Sequence, residues 1–581
     1  MRKCFVLLSM TMIVGVFILK GQNNIESKAN ELAVYEVNPS NAIKKDKSVI
    51  TVDPEKKANK KANKNKDGKE IKKSKIAFTN KKYDASWESL KTVPVPAWFD
   101  DGKFGIMIHW GAYSVAAWIP PHSKGGYSEH LPSNMYRSPK EYNPFLKKKF
   151  GDTIPNFGYK DMISLFKGEK FNADDWAKLF KESGATYVIP VGEHHDGFAM
   201  WDSKLTDWNA AKMGPKRDVI GELAIATRNN NMKFGVSFHR ERHYSFFDVT
   251  KNIGGGPLPA IQEEIKRMPK AANLYGPFEM SDDYMKDYVA RWVELCDRYQ
   301  PDFCWIDDFP GTPKDEEIFD KYCKKMLADY VNRANKEWGK QVYFNNKGGS
   351  QNWPDGVGCR EKDNLSLPAI GPKWENPATI GISYGYYATE DKNDLYKPSY
   401  ELVHLLIETV SKNGNLLLNI GPKPDGTIPE NQQKRLRDIG RWLKLNGEAI
   451  YNTRPWKECG ESKVRFTTNK NKLYAIMLDW PQDNSLMLKS LQPWERSNIS
   501  EVSMLGGTDL KWTMGAEGLK VSLPRKPFGE YAYVIEITCN SDLSDLPIAK
   551  QKVVYEDLHQ KHKARMHKFM NQARDYDSTD Y

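Results

Sequence analysis

The sequence predicts a (β/α)8-like TIM barrel followed by a C-terminal β-sandwich, and three observations carry that expectation. Six short apolar runs recur: Phe104–His109, Tyr187–His195, Phe234–His239, Phe303–Asp307, Val342–Asn346 and Leu416–Ile420. Between them lie helical patterns with apolar residues three or four apart, at Ala173–Ser183, Asp218–Asn229, Ser281–Tyr299, Glu316–Gly339 and Ser399–Lys412. Strands alternating with helices imply parallel βαβ units, and an eight-stranded barrel with two weak strands fits them. No GxGxxG follows a strand, so a dinucleotide fold is not supported. Beyond Trp456 the texture changes to alternating runs such as Lys472–Leu478, Leu486–Lys489, Leu519–Leu523 and Tyr531–Ile537, broken by turn residues, which reads as the sandwich.

The chain has 581 residues with 40% hydrophobic and 12% aromatic content, too apolar for a disordered protein. Its formal charge is +11, yet residues 41–82 hold 15 Lys against 5 acidic residues, which leaves the rest nearly neutral. That stretch reads as a solvated tether rather than a nucleic-acid-binding domain. Ahead of it, Arg2 and Lys3 precede an apolar run from Phe5 to Leu19, the pattern of a secretory signal rather than a spanning helix. The expected organisation is therefore a signal over 1–22, a Lys-rich linker over 23–85, a barrel over 86–455, a sandwich over 456–541 and a charged tail over 542–581. A secreted or periplasmic location follows, with no stable membrane span once the signal is removed. Apart from Cys4, six cysteines remain and none has CxxC spacing, so zinc ribbons and thioredoxin-like motifs are unsupported. In an oxidising compartment Cys459 could pair with Cys539.

In a barrel of this kind, functional groups project from the C-terminal ends of the strands. The apolar runs end in His109, His194 with His195, His239, Asp307 and Asn346. Hydrolysis of a glycosidic bond needs two carboxyl groups, and Asp307, closing the apolar strand Phe303-Cys304-Trp305-Ile306, is the first candidate. Asp308 would point the opposite way by strand alternation. The His194-His195 pair competes as a metal site, but no HExxH and no third ligand at fixed spacing accompany it. Gly381-Ile382-Ser383-Tyr384-Gly385 matches GxSxG, although no strong strand precedes it and no helix follows at once.

These blocks resemble the α-L-fucosidases of glycoside hydrolase family 29. The resemblance covers about Trp87 to Pro455 and rests on Phe104-Gly105-Ile106-Met107-Ile108-His109-Trp110-Gly111, Glu193–Phe198 with Trp201-Asp202-Ser203, Arg217–Leu223, Pro301-Asp302 with Trp305-Ile306-Asp307, and Asn413–Pro422. It implies an exo-acting retaining enzyme with Asp307 as nucleophile, and His109, His194, His195 and Glu129 as fucose contacts with Trp305 stacked nearby. Cys359-Arg360-Glu361-Lys362 is similar to the segment that carries the acid/base, which points to Glu361, with Glu375 of Lys373-Trp374-Glu375 as competitor. Lys347 and Trp374 complete the implied substrate set. No metal and no organic cofactor are implied; the expected partner is a fucosylated oligosaccharide or polysaccharide, sulfated or not.

Three departures matter. The family's usual Trp after Glu129 is His130, Lys347 stands where Arg is common, and Arg240-Glu241-Arg242-His243-Tyr244 replaces a Tyr-containing stretch. The Arg240–His243 cations either hold an anion such as sulfate or form an internal Arg–Glu network. An α-L-galactosidase and an inactive carbohydrate-binding barrel are the alternative readings. Linkage preference and oligomeric state are not legible.

Overall fold

In a computed structural model, the described residues are 81–121, 127–249, 255–307, 312–347, 357–359 and 373–543, with four residues between 564 and 572. The chain divides into units at 1–76 and 77–581, and the first lies outside the described residues, with the expected signal and most of the tether.

Eight strands close a barrel in sequence order: β1 (Phe104–Ile108), β2 (Tyr187–Glu193), β3 (Lys233–Phe238), β4 (Phe303–Ile306), β5 (Tyr343–Asn346), β6 (Val357–Cys359), β7 (Trp374–Thr379) and β8 (Gly414–Ile420). Every neighbouring pair is parallel, and β8 closes on β1 with Phe104 opposite Leu416 and Ile108 opposite Ile420. The strands β1, β2, β4 and β8 are buried at every position, which is why they read as unbroken apolar runs rather than alternating ones. Several of the helices start where a side chain takes up orphan backbone donors. Asn172 accepts from the amides of Asp174 and Asp175 ahead of the helix Ala173–Glu182, Ser281 from Tyr284 ahead of Asp282–Tyr299, and Thr312 from Asp315 ahead of Pro313–Arg333.

The C-terminal part holds two antiparallel sheets. The first has the order β13-β16-β11-β10-β9 and the second β12-β15-β14, where β9 is Arg454–Glu461, β10 Val464–Asn469, β11 Lys472–Met477, β12 Ser485–Leu488, β13 Ile499–Met504, β14 Trp512–Gly515, β15 Gly518–Ser522 and β16 Tyr533–Cys539. Trp456, Phe466, Leu473, Leu488, Val521 and Ile537 form its core. Tyr474 and Ile476 on β11 join the barrel's core instead, and Arg465 on β10 reaches Glu408 of the helix Ser399–Ser411 with Nε at 2.6 Å. Burial alone would raise the Glu408 pKa, yet Arg465 and Lys412 hold it below the ordinary value. Both partners of the Arg465–Glu408 pair are buried, so removing either one strands a charge.

One expectation needs correction. Cys459 and Cys539 are both free and buried. They belong to β9 and β16, separated by β10 and β11 in the sheet. Three strand spacings of about 4.8 Å put them well beyond the reach of a disulfide.

Candidate active site

The C-terminal ends of β1 to β5 deliver, in order, His109, the Glu193-His194-His195 turn, His239, Asp307 and Lys347. All of these but Glu193 meet in a pocket of about 90 Å³ whose lining also includes Glu129, His130, Arg242, Trp305 and Tyr384. Volume alone does not locate the chemistry. A larger cavity, about 600 Å³, lies on the C-terminal sheets beside Trp480 and Met487, far in sequence from any cluster of histidines.

Asp307 is 6% exposed and sits among cations and imidazoles. Nζ of Lys347 lies 2.7 Å from Oδ1, Nε2 of His195 lies 3.2 Å from Oδ2, and Nδ1 of His239 is 3.5 Å from the same oxygen. Burial would raise the Asp307 pKa, but its contacts with Lys347 and His195 hold it well below the usual carboxylate range. Asp307 is therefore a buried, ionised carboxylate, the state required of a nucleophile.

The histidines are different. Burial pushes His109 down to about 4 and His130 to about 3, and drives His194 and His239 well below the ordinary value. They are neutral near pH 7, so each ring presents one donor and one acceptor. The tautomer of His109 follows from its neighbours. Asn419 donates its amide N–H to the Tyr384 carbonyl at 2.7 Å, so its Oδ1 accepts from Nδ1 of His109 at 2.6 Å, which leaves Nε2 of His109 as the acceptor. His195 donates from Nδ1 to the His239 carbonyl at 2.6 Å, and His239 bonds Ser237 through Nε2 at 2.6 Å. Nδ1 of His194 and Nδ1 of His239 are buried with no hydrogen-bond partner among the described residues. Each costs about 1–3 kcal/mol until something satisfies it, and a sugar hydroxyl would do so.

Trp305 forms the floor. Its indole donates to Oε2 of Glu375 at 2.9 Å, and His239 stacks on it with ring centroids 5.5 Å apart. Glu375 also accepts from the Tyr187 hydroxyl at 2.8 Å and is completely buried inside the barrel, where burial raises its pKa to about 7. It is not part of the pocket lining. Glu129 is held by the Gly385 amide at 2.8 Å and the Ser383 hydroxyl at 2.9 Å, and among the described residues it is the second carboxylate of the pocket.

Of the residues read from sequence, Asp307, His109, Glu129, His194, His195, Trp305 and Lys347 line this one cavity. The segment with Glu361 lies outside the described residues. Trp374 is not brought to the pocket. It begins β7, at the end of the barrel opposite the site, and its indole donates to the Lys412 carbonyl at 2.7 Å. Ser383 of the GxSxG match is bonded to Ser128 and Glu129, and among the described residues no histidine bonds to it. His130, His239, Tyr384 and Arg242 also line the pocket, although the sequence reading did not place them in the expected binding set. His239 carried a signal in its place at a strand end, whereas Tyr384 follows β7 in a turn and carried none. Arg240 is turned away, with Nη1 2.5 Å from Glu193 and Nη2 2.7 Å from Asp287, while Arg291 approaches Glu193 at 3.2 Å. This buried network ties the ends of β2 and β3 to the helix Asp282–Tyr299.

Three overlapping groups, His109–His194–His239, His130–His194–His195 and His195–His239–Asp307, have ligand atoms within 4.8 Å of one another and could hold a divalent ion. The same atoms suit hydroxyl recognition, and Asp307 already faces Lys347.

A parallel barrel with an ionised Asp, neutral histidines and a tryptophan floor at its C-terminal mouth defines the class of glycoside-hydrolase barrels. The family model described as Alpha-L-fucosidase matches residues 70–448, and that described as the Alpha-L-fucosidase C-terminal domain matches 457–538. The chain belongs to the α-L-fucosidase family of glycoside hydrolases, family 29. It is 36% identical to the plasma alpha-L-fucosidase of Rattus norvegicus over 77% of this chain and 92% of the relative, and 33% identical to the tissue alpha-L-fucosidase of Homo sapiens over 79% and 92%. The solved alpha-fucosidase of Thermotoga maritima, in complex with a mechanism-based inhibitor, superposes with a TM-score of 0.64 at 32% identity, covering 79% of this chain and all of that one.

Proposed function

We propose that this protein is an exo-acting, retaining α-L-fucosidase in which Asp307 is the nucleophile and Glu361 the acid/base. The observation that carries this reading is a buried carboxylate kept ionised at the end of β4 by Lys347 and His195, facing a cavity of neutral hydroxyl-binding groups. Ionised Asp307 attacks the anomeric carbon while Glu361 protonates the departing oxygen. Glu361 then takes a proton from water, which displaces Asp307. Such a double displacement needs the two carboxyl groups roughly 5–5.5 Å apart. His109 accepts a hydroxyl proton through Nε2, the unsatisfied nitrogens of His194 and His239 bind further hydroxyls, and Glu129 accepts another. Trp305 and Met107 supply apolar surface for the C–H face and the methyl group of a 6-deoxy sugar. The charged start and short apolar run of the N-terminus support export.

Turnover of an aryl α-L-fucoside, with the first-formed anomer followed by NMR, tests the reading. Release of α-L-fucose first supports it. Release of the β anomer would overturn the double displacement, binding without turnover would identify an inactive lectin-like barrel, and faster turnover of the aryl α-L-galactoside would reassign the sugar.

A further inference from the structure

The serine of the GxSxG match is engaged by Glu129, and the turn around it, Gly381 to Gly385, builds one wall of the pocket. Tyr384 lines the cavity, and its two neighbours hold Glu129: the Ser383 hydroxyl donates to Oε2 at 2.9 Å and the Gly385 amide donates to the same oxygen at 2.8 Å. The Ser128 amide donates to the Ser383 hydroxyl at 3.0 Å, which pins the turn Ser128–His130 to this one. A shift of residues 381–385 therefore shifts Glu129.

A second carboxyl fixes that turn. Glu390, on the short helix Ala388–Lys392, is 2% exposed and does not line the pocket. Its Oε1 accepts from the Ile382 amide at 2.6 Å, and the carboxyl also accepts from the Ser383 amide. Lys397 holds the acceptors of the same backbone. Its Nζ donates to the Thr379 carbonyl at 2.6 Å and its own amide to the Ile380 carbonyl at 2.9 Å. A buried carboxyl is costly unless polar groups meet it, and here two successive amides and the nearby Lys397 do so. The fit leaves no room for a side chain at either glycine of the motif. A Cβ on Gly381 would lie 1.2 Å from Oε1 of Glu390, and one on Gly385 would lie 2.8 Å from the Ser128 hydroxyl and 3.2 Å from Oε2 of Glu129.

We infer that Glu390 is a positioning residue for the sugar: it sets the turn Gly381 to Gly385 and, through Ser383 and Gly385, aims Glu129 at a substrate hydroxyl. The inference rests on the fucosidase reading and adds to it a group that never touches the substrate.

The test measures kcat and KM for an aryl α-L-fucoside in Glu390→Gln and Gly381→Ala, each alone and combined with Glu129→Gln. Gln offers one acceptor oxygen where two amides need holding, and the Gly381→Ala methyl pushes the carboxyl off the turn without changing its chemistry. Each should raise KM by roughly ten-fold, the cost of a misaligned hydrogen bond to a carboxylate. The kcat value should stay within about two-fold, because a contact made equally to bound substrate and transition state acts on KM alone. With Glu129→Gln already present, the same changes should raise KM by about two-fold or less, since the residue they aim is already altered. Loss of folded protein instead lowers apparent kcat at unchanged KM, and the urea midpoint of each variant reports it. An unchanged KM in both variants, or the same KM factor in both backgrounds, overturns the inference. Ser383→Ala keeps the turn and removes one of its two bonds to Glu129, so KM should rise there too; an unchanged KM in Ser383→Ala overturns the inference even if the other variants do not fold. If the wild type neither turns over the fucoside nor binds L-fucose in a calorimeter, the fucosidase reading fails and takes the inference with it. Wild-type turnover with unaltered KM in the variants sinks the inference alone.

Discussion

Replacing Glu375 with Gln separates the two roles open to a carboxyl next to the site. Glu375 has an ordinary pKa near 4.5 that burial raises to about 7, against the pull of the Tyr187 and Trp305 hydrogen bonds. Between those values the unfolded chain has lost a proton that the folded chain keeps, so stability falls as pH rises from 4.5 to about 7. The difference corresponds to about 3 kcal/mol. Gln carries no charge and keeps both contacts, since its oxygen accepts from Trp305 and the Tyr187 hydroxyl can turn to accept from its nitrogen. Glu375→Gln should therefore match the wild type near pH 4.5 and be more stable by about 3 kcal/mol above pH 7. Urea midpoints of the two proteins at pH 5 and pH 8 measure this. In the same variant, kcat/KM should change by less than about ten-fold, whereas loss of a general acid costs about a hundred-fold to ten-thousand-fold. A stability increment independent of pH would refute the buried-acid argument. A kcat loss of that larger size would make Glu375 the acid/base in place of Glu361.

The remaining predictions follow from single contacts. Lys347→Met removes the cation 2.7 Å from Asp307, so the Asp307 pKa should rise and the acid limb of kcat/KM against pH should move upward; an unmoved limb would show that Lys347 does not tune the carboxylate. EDTA should leave kcat/KM unchanged, whereas Cu²⁺, which favours imidazole ligands, should inhibit competitively with fucose through the histidine cluster; activation by a divalent ion would contradict the hydroxyl-binding role. Trp374→Phe loses the bond to the Lys412 carbonyl and should cost about 1–3 kcal/mol in stability with kcat/KM within about two-fold; a large change in KM would return Trp374 to the binding set.

Much of the fold was legible because buried parallel strands advertise themselves as apolar runs, and six of the eight did so. The two that did not have physical reasons. β6 pairs over only three residues, and β7 reads Trp-Glu-Asn-Pro-Ala-Thr, polar because Glu375 finds buried partners in Tyr187 and Trp305, which no local pattern reveals. The helix Glu430–Asn446 was also passed over, although it buries Leu436, Ile439 and Leu443 at helical spacing. Within the site, His109, His194, His195 and Asp307 were readable because strand ends converge in a barrel. Glu129 was named through the family resemblance alone. It reaches the pocket on a single 3-10 turn, Ser128–His130, held by Ser383 and Gly385 from a distant part of the chain, and such contacts have no signature in the sequence. Trp374, which lies outside the pocket lining, shows a related difficulty. A residue at the wrong end of a strand looks the same as one at the right end until the strand's limits are known.

The measurement that bears most directly on the mechanism is the activity of Asp307→Gly with and without azide. Removing the nucleophile should abolish hydrolysis of an aryl α-L-fucoside. Azide, small enough to enter the vacated space, should restore turnover and yield the β-L-fucosyl azide, with configuration inverted at the anomeric carbon. Wild-type activity in Asp307→Gly, or rescue that yields the α-azide, would contradict attack by Asp307.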